Sequence, residues 1–230
     1  MRRHLKLSIG IVLVGLLAFV ASTAEGAAQQ RVAFRVTLKA TVVKSWNAAT
    51  ESTVNGCPTT QRSVGRRVVT LESKRPATVF VTLRNGRVVR YSPMAVRSLA
   101  GQVVQTGSRS TTVRAPCDPG TTRTNCARSS RTVSGVSVRF FRSKRDQISF
   151  RRTPLPGLPA GCPPESAEVR AIHSGLEEAE GEISEEALAD SRVRKQTAIG
   201  SASLETDLED NETGTVVERV SWKLTFIRKR

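Results

Sequence analysis

The chain has 230 residues, of which 36 are Lys or Arg and 20 are Asp or Glu, and its formal net charge is +16. Only 4% of the residues are aromatic, so a core must rest mainly on valine and leucine. The sequence contains no nucleotide-binding glycine loop, no metal-ligand helix and no long repeat, which excludes the function classes that those motifs define.

The N-terminus has the pattern of an export signal. Three cations within the first seven residues precede an apolar run over residues 8–21, and small residues follow as far as Ala28. The apolar run is short for a membrane span. We therefore predict a signal peptide over residues 1–28, no transmembrane span in the mature chain, and a secreted or extracytoplasmic location at the cell envelope. Cleavage after Ala24 or after Ala28 fits the pattern.

Both ends of the mature chain have the alternation of a half-buried strand. Apolar side chains recur at every second position near the start (Val32, Phe34, Val36, Leu38, Ala40, Val42, Trp46) and again near the end (Val216, Val220, Trp222, Leu224, Phe226). A period of two over this length predicts strands of an antiparallel sheet with one face in the core.

Shorter strands are predicted between these two. Residues 77–84 and 87–91 flank Asn85-Gly86, a strong hairpin signal. A second hairpin is expected around Gly107-Ser108, and a third around residues 143–146. Regular turns between short strands are typical of a sandwich or a barrel.

A change of composition marks the last quarter of the chain. Residues 153–163 are rich in Pro and Gly and predict a connector. Residues 165–190 are rich in Glu, Ala and Leu with apolar positions near helical spacing, and Ser184 is placed to cap a short second helix. The predicted fold is therefore mainly β, an antiparallel β-sandwich or open barrel with a short acidic helical insertion near the C-terminal end. Residues 29–230 are predicted to form one domain.

The cysteines predict two disulfides. Their number is even, and they follow an export signal (Cys57, Cys117, Cys126, Cys162). Three pairings are possible, and we expect Cys117–Cys126, which closes a short loop, together with Cys57–Cys162, which joins two Gly-Cys-Pro segments. Zinc is disfavoured because no close Cys-x-x-Cys pair exists, and no metal or cofactor is expected.

Charge is distributed unevenly along the chain. Residues 29–162 hold 24 basic and 4 acidic side chains, a net charge of +20, whereas residues 163–230 hold 9 basic and 15 acidic ones, a net charge of −6. The densest basic segment is the third predicted hairpin, whose cations are candidates for anion binding (Arg139, Arg142, Lys144, Arg145, Arg151, Arg152). A genomic bias toward arginine, or a hairpin charged only for solubility, remains the alternative.

Catalytic residues are scarce. His173 is the one histidine after the signal segment, so a Ser-His-Asp or Cys-His mechanism would have to use it, and no Gly-x-Ser-x-Gly motif accompanies it. Paired carboxylates remain the other option, with Glu51 and Glu72 as candidates if the fold brings them together. No residue is assigned a catalytic role.

These observations favour an exported, non-catalytic binding or structural module at or near the cell envelope. Its expected partner is an anionic envelope polymer or lipid head groups, contacted through an arginine-rich face. Nucleic acid is disfavoured because the alternation directs most phenylalanines of the basic hairpin to the core. A secreted hydrolase that acts on a polysaccharide through paired carboxylates is the alternative. The sequence leaves the oligomeric state open.

Overall fold

The structure, a computed structural model, describes residues 29–153, 155, 162–172, 175–209 and 212–230. The predicted signal segment and His173 therefore lie outside the described residues. Ten strands dominate: β1 (Gln29–Val54), β2 (Cys57–Ser73), β3 (Ala77–Arg84), β4 (Arg87–Ser92), β5 (Ala95–Val113), β6 (Gly120–Lys144), β7 (Gln147–Phe150), β8 (Gly181–Glu182), β9 (Lys195–Asp207) and β10 (Glu212–Arg228). All pairings among them are antiparallel, so the predicted mainly β, antiparallel class is confirmed.

One sheet contains all ten strands and curls until its two sides meet. The order is β10-β9-β8-β7-β6-β5-β2-β1-β3-β4, and β10 also pairs with β1 along residues 34–50 of β1. The other edge of β1 pairs first with β3 and then with β2. On the side away from β1, the short strands β7 and β8 close the sheet. Long parts of β6 and β9 have no ladder partner on that side among the described residues.

The alternation of the terminal strands forms the inner face of this sheet, as predicted. Residues of β1 at even positions are buried from Val32 to Ala48, and they face the buried residues of β10, with Ala40 opposite Trp222. A cluster of aromatic rings completes this core, in which Phe140 and Phe226 meet edge to face at 6.1 Å. A smaller apolar cluster surrounds Trp46.

The predicted acidic insertion is short, and it packs against the inner side of the sheet. It contains α1 (Ala167–Ala171), a 3₁₀ turn (Leu176–Glu178), β8 and α2 (Glu185–Ala189). Ser184 caps α2 by accepting a hydrogen bond from the Ala187 amide, as the sequence predicted. Val169 of α1 and Leu188 of α2 are fully buried, so the insertion is part of the core.

Two of the three predicted hairpins are confirmed, and one is wrong. Asn85-Gly86 joins β3 to β4, and residues 145–146 join β6 to β7. The turn expected around Gly107-Ser108 does not exist, because β5 continues through it and pairs with β2 and β6 on either side. Gly107 is needed because the backbone of β2 and the ring of Pro163 lie very close to β5 at this position. A Cβ on residue 107 would overlap the Val64 carbonyl oxygen and come within 2.8 Å of the Pro163 ring.

The predicted disulfide pairing is also wrong. The bonds are Cys57–Cys117 and Cys126–Cys162, with Cα–Cα distances of 5.7 and 5.3 Å. Strand register is the physical reason. Thr59 of β2 lies opposite Val113 of β5, which brings Cys57 to the β5–β6 turn that carries Cys117.

The second bond follows from the same register. Cys126 lies opposite Gly107, where the chain after Cys162 passes close to β5. Two disulfides in one chain indicate folding in an oxidising compartment outside the cytoplasm. Among the described residues, both α-helices are only five residues long, far short of a membrane crossing.

Candidate functional site

The six predicted anion-binding residues lie around the β6–β7 hairpin, as expected, but they do not form one surface. Arg139, Arg142 and Lys144 belong to β6, Arg145 lies in the turn, and Arg151 and Arg152 follow β7 directly. All six side chains are exposed, and they fall into two groups. Two have carboxylate partners (Arg142, Arg145), whereas four take part in no ion pair between described residues (Arg139, Lys144, Arg151, Arg152).

The first group is neutralised by carboxylates. Arg142 has the parity of the buried Phe140, and its guanidinium binds Glu185 through two nitrogens, at 2.6 and 2.8 Å. Glu185 is held in place because its amide donates to Asp146 Oδ1 at 2.8 Å. Arg145 Nε lies 3.5 Å from the carboxylate of Asp146. These two cations therefore have internal counter-charges.

The second group places two arginines directly opposite each other. The Arg151 amide donates to the Arg139 carbonyl at 2.8 Å, in register with the Phe140–Phe150 pair beside it. Both side chains have the parity opposite to the buried Phe140 and Phe150, so they project from the outer face. Like charges at opposed positions repel. Neither guanidinium takes part in an ion pair with a described carboxylate.

Arg97 extends this group and was missed by the sequence analysis. It lies two residues along β5 from Ala95, the register partner of Arg139, and its side chain is exposed. Only the pairing of β5 with β6 brings it near, so no local pattern could have found it. We call Arg97, Arg139, Arg151 and Arg152 the outer arginine cluster.

A hollow of about 530 Å³ adjoins the outer arginine cluster. Two arginines, two phenylalanines and two glutamates line it (Arg151, Arg152, Phe141, Phe150, Glu177 and Glu178). The hollow is open to solvent. Its two glutamates balance its two arginines in number, so it adds apolar surface beside the cluster but no net positive charge.

A buried ionic layer lies elsewhere on the inner face. Lys44 stands opposite Glu218 of β10 and Arg67 of β2, and Arg67 stands opposite Gln105 of β5. Glu165 of the insertion reaches this row, with an oxygen 2.8 Å from Arg67 Nη2 and the other 3.7 Å from Lys44 Nζ.

Main-chain and side-chain groups complete the layer. Lys44 Nζ donates to the carbonyls of Val169 and Ile172, and Gln105 donates to the Pro163 carbonyl at 2.8 Å. Burial lowers the pKa of Lys44, against the opposite effect of Glu165 and Glu218. Two cations and two carboxylates balance within the layer, which fixes the insertion to the sheet.

The carboxylate pair considered for hydrolysis does not converge. Glu51 faces Thr60 on β2, and Glu72 lies twelve residues further along that strand, a separation of up to about 40 Å. Each has its own exposed cation, Arg114 for Glu51 and Lys39 for Glu72. No group of three potential metal ligands occurs within the part of the chain that the structure describes.

The fold and these sites define a disulfide-linked, mainly β protein with a closed antiparallel sheet and a cluster of exposed arginines. No protein-family model matches the chain, and no curated protein or solved structure is significantly similar to it.

Proposed function

We propose that this protein is an exported, non-catalytic binding module that contacts an anionic polymer of the cell envelope through the outer arginine cluster. The observation that carries the proposal is the opposition of Arg139 and Arg151, two like charges without a described counter-ion. Such a pair costs stability in the free protein, and a bound anion removes that cost.

The surroundings of the cluster support a polymer more than an isolated ion. The four arginines extend across β5, β6 and the end of β7, and the adjoining hollow adds apolar surface from Phe141. Arginine suits such a role because its planar guanidinium binds phosphate or carboxylate through two nitrogens. The two disulfides suit an extracytoplasmic location.

The test measures binding to long-chain polyphosphate at about 50 and about 200 mM salt. Affinity should fall steeply as salt rises, because binding releases counterions from the polymer. Neutralising three cluster residues (Arg139→Gln, Arg151→Gln and Arg152→Gln together) should weaken binding roughly a hundredfold at low salt, taking about 1 kcal/mol for each contacting cation.

A charge-matched control distinguishes binding by the outer arginine cluster from attraction by the net charge of the protein. Arg35, Lys195 and Arg219 are exposed on other strands, and changing all three to Gln removes the same charge. The proposal predicts a much smaller loss in this control. Equal losses in both triple variants would show attraction by net charge alone, and binding that ignores salt would refute an electrostatic role. Anionic vesicles used as a second probe test whether lipid head groups compete with the polymer.

A further inference from the structure

A second cavity lies between the β3–β4 hairpin, the β6–β7 turn and α2. Its volume is about 410 Å³, within the range of small-molecule pockets. Arg87 and Val89 line it from the hairpin, Arg142 and Arg145 from the β6–β7 side, and Glu185 and Glu186 from α2. We call it the hairpin cavity.

The hairpin cavity contains side chains of both charges that the ion pairs within the protein do not neutralise. Arg142 and Glu185 bind each other through two contacts and neutralise one another. Arg87 and Glu186 take part in none of the ion pairs between described residues, and Arg145 has only the exposed contact with Asp146 at 3.5 Å. The cavity thus offers a cation and a carboxylate on different walls, with the half-exposed Val89 beside them.

Two of the three walls of the hairpin cavity, α2 and the β6–β7 turn, are held by contacts independent of any ligand. The amides of Ile183 and Glu185 donate to the carbonyl and the carboxylate of Asp146, both at 2.8 Å, which fixes the start of α2 to the β6–β7 turn. Arg228 donates to the carbonyls of Leu188 and Asp190 at the other end. Walls fixed in this way lose little entropy when a ligand binds.

From this arrangement we infer that the hairpin cavity binds a small zwitterionic molecule, which carries an oxyanion and an ammonium group on a short apolar frame. Arg87, assisted by Arg145, binds the oxyanion, Glu186 binds the ammonium group, and Val89 contacts the frame. A ligand with a single charge leaves one wall of the cavity without its counter-charge, so both charges are needed for tight binding.

Three probes of equal chain length test this inference by calorimetry: 6-aminohexanoate, hexanoate and hexylamine. The zwitterion should bind roughly tenfold more tightly than either singly charged probe, since a hydrogen-bonded charge contact is worth about that factor or more. Similar affinities for all three probes, equal binding of hexanoate and the zwitterion, or no binding of any probe would overturn the inference.

Charge-removal variants assign the two ends of the ligand. Arg87→Gln should weaken binding of 6-aminohexanoate roughly tenfold and leave hexylamine unaffected, and Glu186→Gln should weaken 6-aminohexanoate to a similar degree and leave hexanoate unaffected. Arg90→Gln and Glu182→Gln remove exposed charges of the same sign outside the cavity and should change nothing. Losses as large in these controls would refute the assignment.

Two further experiments identify the source of the ligand and distinguish this site from the outer arginine cluster. Soluble phosphoethanolamine and vesicles bearing the same head group, used as competitors, distinguish a free molecule from a lipid as the source of the zwitterion. The triple variant of the outer arginine cluster should bind 6-aminohexanoate with unchanged affinity. The hairpin cavity and the polymer-binding proposal can therefore fail separately.

Discussion

Lys44 and Glu218 face each other across β1 and β10 on the inner side of the sheet, with Lys44 Nζ 4.0 Å from Glu218 Oε1. Lys44 is 7% exposed and Glu218 is 3% exposed. The valines on one side of this pair belong to the main core, whereas Trp46 on the other side belongs to the smaller cluster. The charged pair thus separates two apolar clusters. Glu165 of the insertion reaches this charged pair through Lys44.

Removing the lysine should be costly. Lys44→Met leaves Glu165 and Glu218 with one cation fewer in a buried layer, and we expect a loss of about 3–5 kcal/mol in the free energy of unfolding. Lys39→Met is a matched control on the same strand, because its partner Glu72 is exposed and such pairs contribute about 1 kcal/mol or less. Urea denaturation measures both. Equal, small losses would mean that the ionic layer contributes nothing to stability.

The lowered pKa of Lys44 predicts a pH dependence of definite sign. Between the lowered pKa and the ordinary lysine value, the folded chain binds fewer protons at this site than the unfolded chain. Stability rises with pH wherever the unfolded state binds more protons, so the contribution of Lys44 increases as pH rises through that interval.

Urea unfolding of the wild type and Lys44→Met from about pH 8 to about pH 10, at or below the ordinary pKa of tyrosine, isolates this contribution. The stability difference between the two proteins should widen with pH. A difference that narrows or stays constant would contradict the assigned direction of the shift.

Glycines opposite the two tryptophans set the spacing of the strands. A Cβ on Gly65 would overlap the indole of Trp46, and one on Gly200 would overlap that of Trp222. Gly65→Ala should therefore destabilise the protein by about 1–3 kcal/mol, because the indole must move. Gly120→Ala is the control, since a Cβ there meets nothing within 4 Å. If thermal unfolding finds the two variants equally stable, the indole is not constrained by Gly65.

Local patterns predicted the fold class, because the side chains of β1 and β10 alternate regardless of their partners. Lys44 and Glu218 occupy positions of β1 and β10 that the alternation assigns to the buried face. A charged residue at such a position was the one sign of the ionic layer in the sequence. The cysteine pairs and Arg97 depend on the register of β5 with β2 and β6, and no local pattern records that register. Gly107 was misread as a turn because glycine serves close approach as well as reversal.

The hydroxyl of Tyr91 is buried without a hydrogen-bond partner among the described residues. Burial raises its pKa, and the negative charge of Glu185 adds to the effect. Tyr91→Phe keeps the ring contacts with Phe140 and Phe226 and removes the polar atom. We expect unchanged or higher stability, by up to about 1 kcal/mol, in urea denaturation. A loss of more than about 1 kcal/mol would show that the hydroxyl has a hydrogen-bond partner.

The two disulfides should protect different parts of the molecule. Cys126–Cys162 joins β6 to the segment that leads into the insertion. Cys57–Cys117 joins the first residue of β2 to the β5–β6 turn. Both close long loops, of 36 and 60 residues, and each should contribute about 4 kcal/mol on the chain-entropy model. Their total effects on stability are therefore similar, and their local effects are not.

Hydrogen exchange distinguishes the two bonds. Replacing Cys126 and Cys162 by Ser should speed amide exchange in α1, which is tied to the sheet through the ionic layer and the nearby segment after Cys162. Replacing Cys57 and Cys117 should leave α1 protected and speed exchange at the ends of β2 and β5. Faster exchange of α1 in both variants would indicate that the insertion opens only when the whole fold opens. Peptide mapping without reduction verifies the cysteine pairing itself.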